Sequence, residues 1–270
     1  FKRKTNFTLG YTSKYFIDNK EKNSTYFTFR IDQHLGNYKH LHINYSLMPN
    51  YYLRRYEDLD YIIATENIED ISRYYSCTFD IEKMHIIYQR PLALKNNKVK
   101  IGGFYERQIF NQYFTEFALN IVGQTLEFSF SNNDNYFSNK RTLDILYEKH
   151  SADNSTFLSE FFSTNYMNRD YKQSRYKLGF KQIINSARSF GFIIDIYKRN
   201  NTSLIENDEL HYRRKHTDAT LSIWYKKNRY KIMLSKRNRR SYSPFSWVAD
   251  LKTFDRYIIT LTTTLIRKKF

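Results

Sequence analysis

The sequence predicts an all-β fold: an antiparallel up-and-down meander closing as a transmembrane β-barrel of about 12–14 strands, with fourteen preferred. Three observations carry this. Apolar and polar residues alternate with period two in segment after segment, turn-forming residues separate the segments with no helical repeat between them, and aromatic residues gather at segment ends. Tyr (25) and Phe (22) are abundant beside seven Gly and three Pro, so the chain is neither low-complexity nor disordered. Tyr, Phe, Ile and Thr all favour strands.

The first segment sets Phe7, Leu9 and Tyr11 against Thr8, Gly10 and Thr12, and the polar run 18–24 makes a turn. The second sets Phe27, Phe29 and Ile31 against Thr28, Arg30 and Asp32; the run 35–37, Leu-Gly-Asn, signals a tight turn. The third sets Leu41, Ile43, Tyr45 and Leu47 against His42, Asn44 and Ser46. The same alternation then gives Met84, Ile86 and Tyr88; Val99, Ile101, Gly103 and Tyr105; Leu126, Phe128 and Phe130; and Leu143, Ile145 and Tyr147. It continues with Tyr176, Leu178 and Phe180; Phe190, Phe192, Ile194 and Ile196; Leu221, Ile223 and Tyr225; and Tyr230, Ile232 and Leu234. In the closing segment Tyr257, Ile259, Leu261, Thr263 and Leu265 share a face, and the chain ends on Phe270.

The alternating segments, of which twelve are named above, are counted as roughly thirteen, and an even strand count makes that about 12 or 14. Residues 74–90 and 113–131 exceed the ~10 residues needed to cross a bilayer and are expected to project as long hairpins. The polar stretches 55–72, 132–140, 200–211 and 238–252 are expected to be long outer loops.

Period two alone does not say which face is buried, because a soluble sandwich and a membrane barrel share it. Long strands, turns that alternate between short and long, and aromatic pairs at segment ends (Tyr51 with Tyr52, Tyr74 with Tyr75, Tyr113 with Phe114, Trp224 with Tyr225) favour apolar residues facing lipid. The low glycine count weighs the other way. No run of about 18 apolar residues exists, and a mean hydropathy of −0.71 fits strands that expose only every second residue to lipid. One domain over residues 1–270 is expected. Since the first residue is Phe1, the chain is read either as a mature protein or as the C-terminal part of a longer one.

The run 239–247 followed by the alternating residues 252–264 and a terminal Phe270 resembles the last loop and closing strand of bacterial outer-membrane β-barrel proteins, and the resemblance covers nearly the whole chain. It implies assembly by the barrel-assembly machinery, residence in the outer membrane of a Gram-negative cell among lipid and lipopolysaccharide, and a pore, transport or translocation role. Lys268 departs from the pattern, standing where an apolar residue in phase with Phe270 is expected.

Lys and Arg outnumber Asp and Glu by 44 to 27, a net charge of +17. On a soluble all-β protein such charge among aromatics would serve nucleic acid or acidic polysaccharide, but no compact basic motif accompanies it. In a barrel, Arg30, Lys100, Lys177, Lys181 and Lys231 fall on the polar strand face and Arg54 and Arg55 at a rim; they are the candidate anion-binding residues, facing small anionic solutes.

Three weaker constellations remain. His150 beside Ser151 faintly resembles the neighbourhood of a barrel-embedded lipid hydrolase, yet sequence neighbours on a strand face opposite sides. His40 and His42, with His34, form a candidate metal group, and Asp58, Asp60, Glu66, Glu69 and Asp70 an acidic loop without calcium-site spacing. Cys77, the single cysteine, is expected to be a small apolar side chain beside Phe79 and Ile81. No cofactor is implied.

Overall fold

The structure is a computed structural model that describes residues 4–15, 23–55, 76–92, 97–111, 118–133, 140–154 and 168–263, apart from the side chains of 53–55, 76 and 133. Twelve strands form one sheet in sequence order, each antiparallel to the next. They are β1 (Thr5–Lys14), β2 (Ser24–Gly36), β3 (Lys39–Arg55), β4 (Ser76–Pro91), β5 (Lys98–Phe110), β6 (Leu119–Asn133), β7 (Lys140–Asp153), β8 (Tyr171–Ile183), β9 (Arg188–Asn201), β10 (Lys215–Lys227), β11 (Tyr230–Tyr242) and β12 (Phe254–Thr263). One helix, α1 (Ser246–Lys252), precedes β12. Among the described residues β1 and β12 are the sheet edges and do not pair with each other.

The count is twelve, not the preferred fourteen: each of the twelve alternating segments named above falls in a single strand, and no further strand lies among the described residues. β3 runs 17 residues and changes phase part-way: its register with β4 shifts between Met48 and Tyr51 and again between Tyr52 and Arg54. Asn50 sits there at φ 51 and its N–H donates to Asp80 Oδ1 at 2.8 Å. Such a bulge moves the following side chains to the other face. Tyr51 thereby packs on Phe79, ring to ring at 5.3 Å, on the side opposite Ile43 and Tyr45.

Short connections lie at one end of the sheet. Gly36 to Tyr38 turn with positive φ, Asn228 and Arg229 join β10 to β11, and residues 184–187 join β8 to β9. The segment 132–140, expected as an outer loop, belongs to this end: β6 runs to Asn133, β7 begins at Lys140, and strand alternation puts their junction beside the tight turns. The longer connections lie at the opposite end. The stretch expected as a loop at 238–252 is strand to Tyr242 and then helix α1, and the expected loop 55–72 lies almost wholly outside the described residues.

One face is apolar and largely uncovered, with Leu9 at 81%, Ile223 at 59% and Leu261 at 77% exposure. Hydrogen-bonded partners traced straight across the sheet from Thr5 lead through Gln33, Leu41, Tyr88, Ile101, Leu126, Tyr147, Tyr176, Ile196, Ala219 and Asn238 to Asp255. On β1 the apolar residues lie on the long-loop side of this line; on β12 they lie on the short-turn side. The apolar band therefore crosses the ladder obliquely, which is the geometry of tilted strands carrying a level belt.

Candidate functional site

The opposite face carries most of the charge and is concave, since one pocket of about 350 Å³ touches residues of six consecutive strands, β6 to β11. Neighbouring strands are ~4.8 Å apart, so a flat sheet would spread those contacts over more than ~20 Å. Because side chains alternate, each residue here sits between two lipid-side candidates in sequence. Its partners come from adjacent strands.

Toward the long loops this face is a wall of ion pairs. Asp218, almost fully buried, accepts from Arg237 Nε and Nη2 at 2.9 and 2.7 Å, from Arg239 Nε at 2.9 Å and from the Tyr197 hydroxyl at 2.9 Å. Arg175 makes a two-pronged contact with Asp195 at 2.9 and 2.6 Å, the fork geometry that suits guanidinium to carboxylate. Lys83 reaches Glu106 at 2.7 Å, and Arg199 donates to Gln173 while lying 3.7 Å over the Tyr171 ring. Beneath this wall two apolar clusters interrupt the polar face: Cys77 with Phe79, Phe110, Ala118 and Ile81, and Leu119 with Ile121, Ala152, Tyr171 and Phe104. Cys77 thus has the expected neighbours. The strand face read as polar carries apolar clusters here, because the bulge in β3 and the shift from polar to apolar residues near the loops turn aromatic rings onto it.

Described residues of the connections at that end bond to one another. Asp208 accepts from the Asn168 N–H at 2.7 Å and from His211 Nδ1 at 2.9 Å, and Trp247 of α1 donates to Glu209 Oε2 at 2.7 Å. Burial pushes the Asp170 carboxyl above the usual carboxylate range. The hydrogen bond to Glu206 raises the Tyr212 hydroxyl.

The predicted anion-binding residues divide into three groups. Arg30 is engaged by Asp32, which His42 also contacts, and Lys100 Nζ sits 2.7 Å from Glu127 Oε1. Arg54 and Arg55 close β3 opposite Cys77 and Ser76, with side chains outside the described residues. Lys177, Lys181 and Lys231 come together across β8 and β11 around the pocket. Trp224, which composition and periodicity marked only as a rim aromatic, stands among them: a Cβ on Gly191 would lie 2.7 Å from its ring, so glycine there is what seats the indole. Only register arithmetic could have found this grouping, because Gly191 and Trp224 are partners across β9 and β10.

His150 and Ser151 leave β7 on opposite faces: His150 Nδ1 lies 3.3 Å from Glu148 Oε1, while Ser151 pairs with Val122 and Lys172 on the other side. His34, His40 and His42 do form a ring cluster, with 4.8 and 5.9 Å centroid distances, but no three His, Cys, Asp or Glu among the described residues converge on metal-binding geometry. The acidic loop, Leu265 and Phe270 lie outside the described residues, whereas Tyr257, Ile259 and Leu261 line the exposed apolar face of β12. No protein-family model, curated protein or solved structure matches the chain.

Proposed function

We propose that the sheet closes by pairing β12 with β1 into a transmembrane barrel of a bacterial outer membrane, and that it acts as a pore or translocation scaffold whose basic lumen favours small anions. The observation that carries this is the sorting of faces: an exposed, oblique apolar band on one side, and on the other a concave wall of charge whose end wears long loops. Tight turns at one end and long loops at the other match the habit of such barrels. Uncovered apolar surface of this extent is otherwise a liability in water.

In a closed barrel the band would be continuous, which gives the closing register. Its short-turn edge descends by about one residue per strand, which corresponds to strands tilted by about 35°. Matching band to band puts Tyr11 opposite Leu261 and Leu9 opposite Thr263, with both members of each pair on the lipid side. In a Cys77→Ala background, Tyr11→Cys with Leu261→Cys is expected to form a disulfide within one chain under mild oxidation, while Tyr11→Cys with Tyr257→Cys is not. Equal yields, or cross-links only between chains, would contradict closure in this register.

Function itself is tested in planar bilayers under a salt gradient. The expected result is a conductance, modest because the inward apolar clusters narrow the long-loop end, with a reversal potential of the sign set by anions. Cation preference would overturn the basic-lumen reading, and folded protein in the bilayer without conductance would overturn the pore.

A further inference from the structure

Four lysines that line the pockets of the concave face hold no carboxylate among the described residues. Lys177, Lys181, Lys226 and Lys231 have no ion-pair partner among the described residues, whereas Lys83, Lys100, Arg175, Arg237 and Arg239 each hold one. The two carboxylates that line the same pocket are already engaged, Glu127 by Lys100 at 2.7 Å and Asp144 by the Ser129 hydroxyl at 2.6 Å. Lys181 and Lys231 also border an adjoining pocket of about 520 Å³, where they are joined by Lys226. Between the two pockets stands Trp224, with Lys231 Nζ 5.0 Å from its ring centroid.

From this arrangement we infer a binding subsite for a multivalent oxyanion of the phosphate type, held by Lys177, Lys181, Lys226 and Lys231 beside Trp224. Three of these ammonium groups line each pocket, and they repel one another unless an anion sits between them. Ammonium groups are compact point charges that suit tetrahedral phosphate oxygens without demanding a fixed fork, in contrast to the planar arginine pairs of the long-loop half. The larger pocket accommodates two phosphate units, and a single chloride would leave most of the cations uncompensated. Lumen entry at the tight-turn end reaches this subsite before the narrow region under the loops. The subsite deepens the anion-pore reading, since it rests on the concave face being a lumen wetted by solvent.

Trp224 supplies the readout. The chain has two tryptophans, so Trp247→Phe leaves Trp224 as the only one. With this variant folded in detergent micelles, titration with inorganic pyrophosphate is expected to change the Trp224 emission saturably, citrate to act more weakly, and sodium chloride at matched ionic strength not to act. Lys181→Gln with Lys231→Gln is expected to weaken the pyrophosphate response at least tenfold; Lys236→Gln, on the apolar face over Tyr257, is expected to leave it unchanged. A chloride response equal to that of pyrophosphate, or a pyrophosphate response indifferent to the double substitution, would overturn the subsite. Bilayer conductance separates the two claims. Anion-selective current without a saturable Trp224 response removes the subsite and keeps the pore, and the converse removes the pore and keeps the subsite.

Discussion

Ile223→Arg is expected to cost about 2–4 kcal/mol of folding stability in a lipid bilayer, the penalty for a charged side chain near the midplane of a barrel's lipid face. Ile223 is 59% exposed, lies between Phe192 and Leu234 on its neighbours, and sits in the middle of the apolar band. In a water-soluble fold the same exposed position would tolerate arginine within about 0.5 kcal/mol. Thr217→Arg provides the comparison. Thr217 shares the face and the strand but lies six residues nearer the long loops, opposite Lys198 and Arg240, where the cost is expected to fall to about 0–1 kcal/mol. Urea unfolding from lipid vesicles measures both; equal small effects would remove lipid from the account.

Asp218→Ala is expected to be the most damaging substitution on the concave face. It removes the one carboxylate, 1% exposed, on which the Arg237 and Arg239 guanidinium groups and the Tyr197 hydroxyl converge, leaving both arginines without an anionic partner. Removing one member of a buried, hydrogen-bonded charge group costs ~3–5 kcal/mol, and the low end applies because Arg237 is a third exposed and water reaches it. Converting Arg239 to Leu in the same chain is expected to restore part of the loss, since it removes one of the cations left without an anionic partner. If the protein still folds, the freed arginines are expected to move the reversal potential further toward the anion. A stability change under 1 kcal/mol would mean that the lumen solvates these groups freely.

Much of this architecture was legible in the residues because alternation needs no long-range information. Leu221, Ile223 and Tyr225 declare a face, Ser222 and Trp224 declare the other, and Gly36 with Asn37 declares the turn between β2 and β3. The bulge at Asn50 was not legible: a positive φ at an asparagine after Pro49 looks like a loop until the Asp80 carboxylate that accepts its N–H is known. Nor did the sequence distinguish neutralised from free cations. Lys100 and Lys177 look alike on their strands and each has a carboxylate opposite it in the register, but Glu127 engages the first while Asp195, opposite the second, is taken by Arg175. The apolar clusters on the polar face escaped for a related reason. Phe104 stands between Gly103 and Tyr105 and Phe110 between Ile109 and Asn111, and the clusters they join appear only when β4, β5 and β6 are aligned.

The face assignment can be read directly by placing a nitroxide label, in a Cys77→Ala background, at each position from Thr220 to Tyr225 of protein reconstituted in lipid vesicles. Collision rates with oxygen, which concentrates in lipid, and with a water-soluble nickel chelate should then alternate with period two. High oxygen and low nickel accessibility is expected at Leu221, Ile223 and Tyr225, and the reverse at Thr220, Ser222 and Trp224. Alternation in the opposite phase, or nickel accessibility at every position, would contradict a barrel whose apolar face meets the membrane.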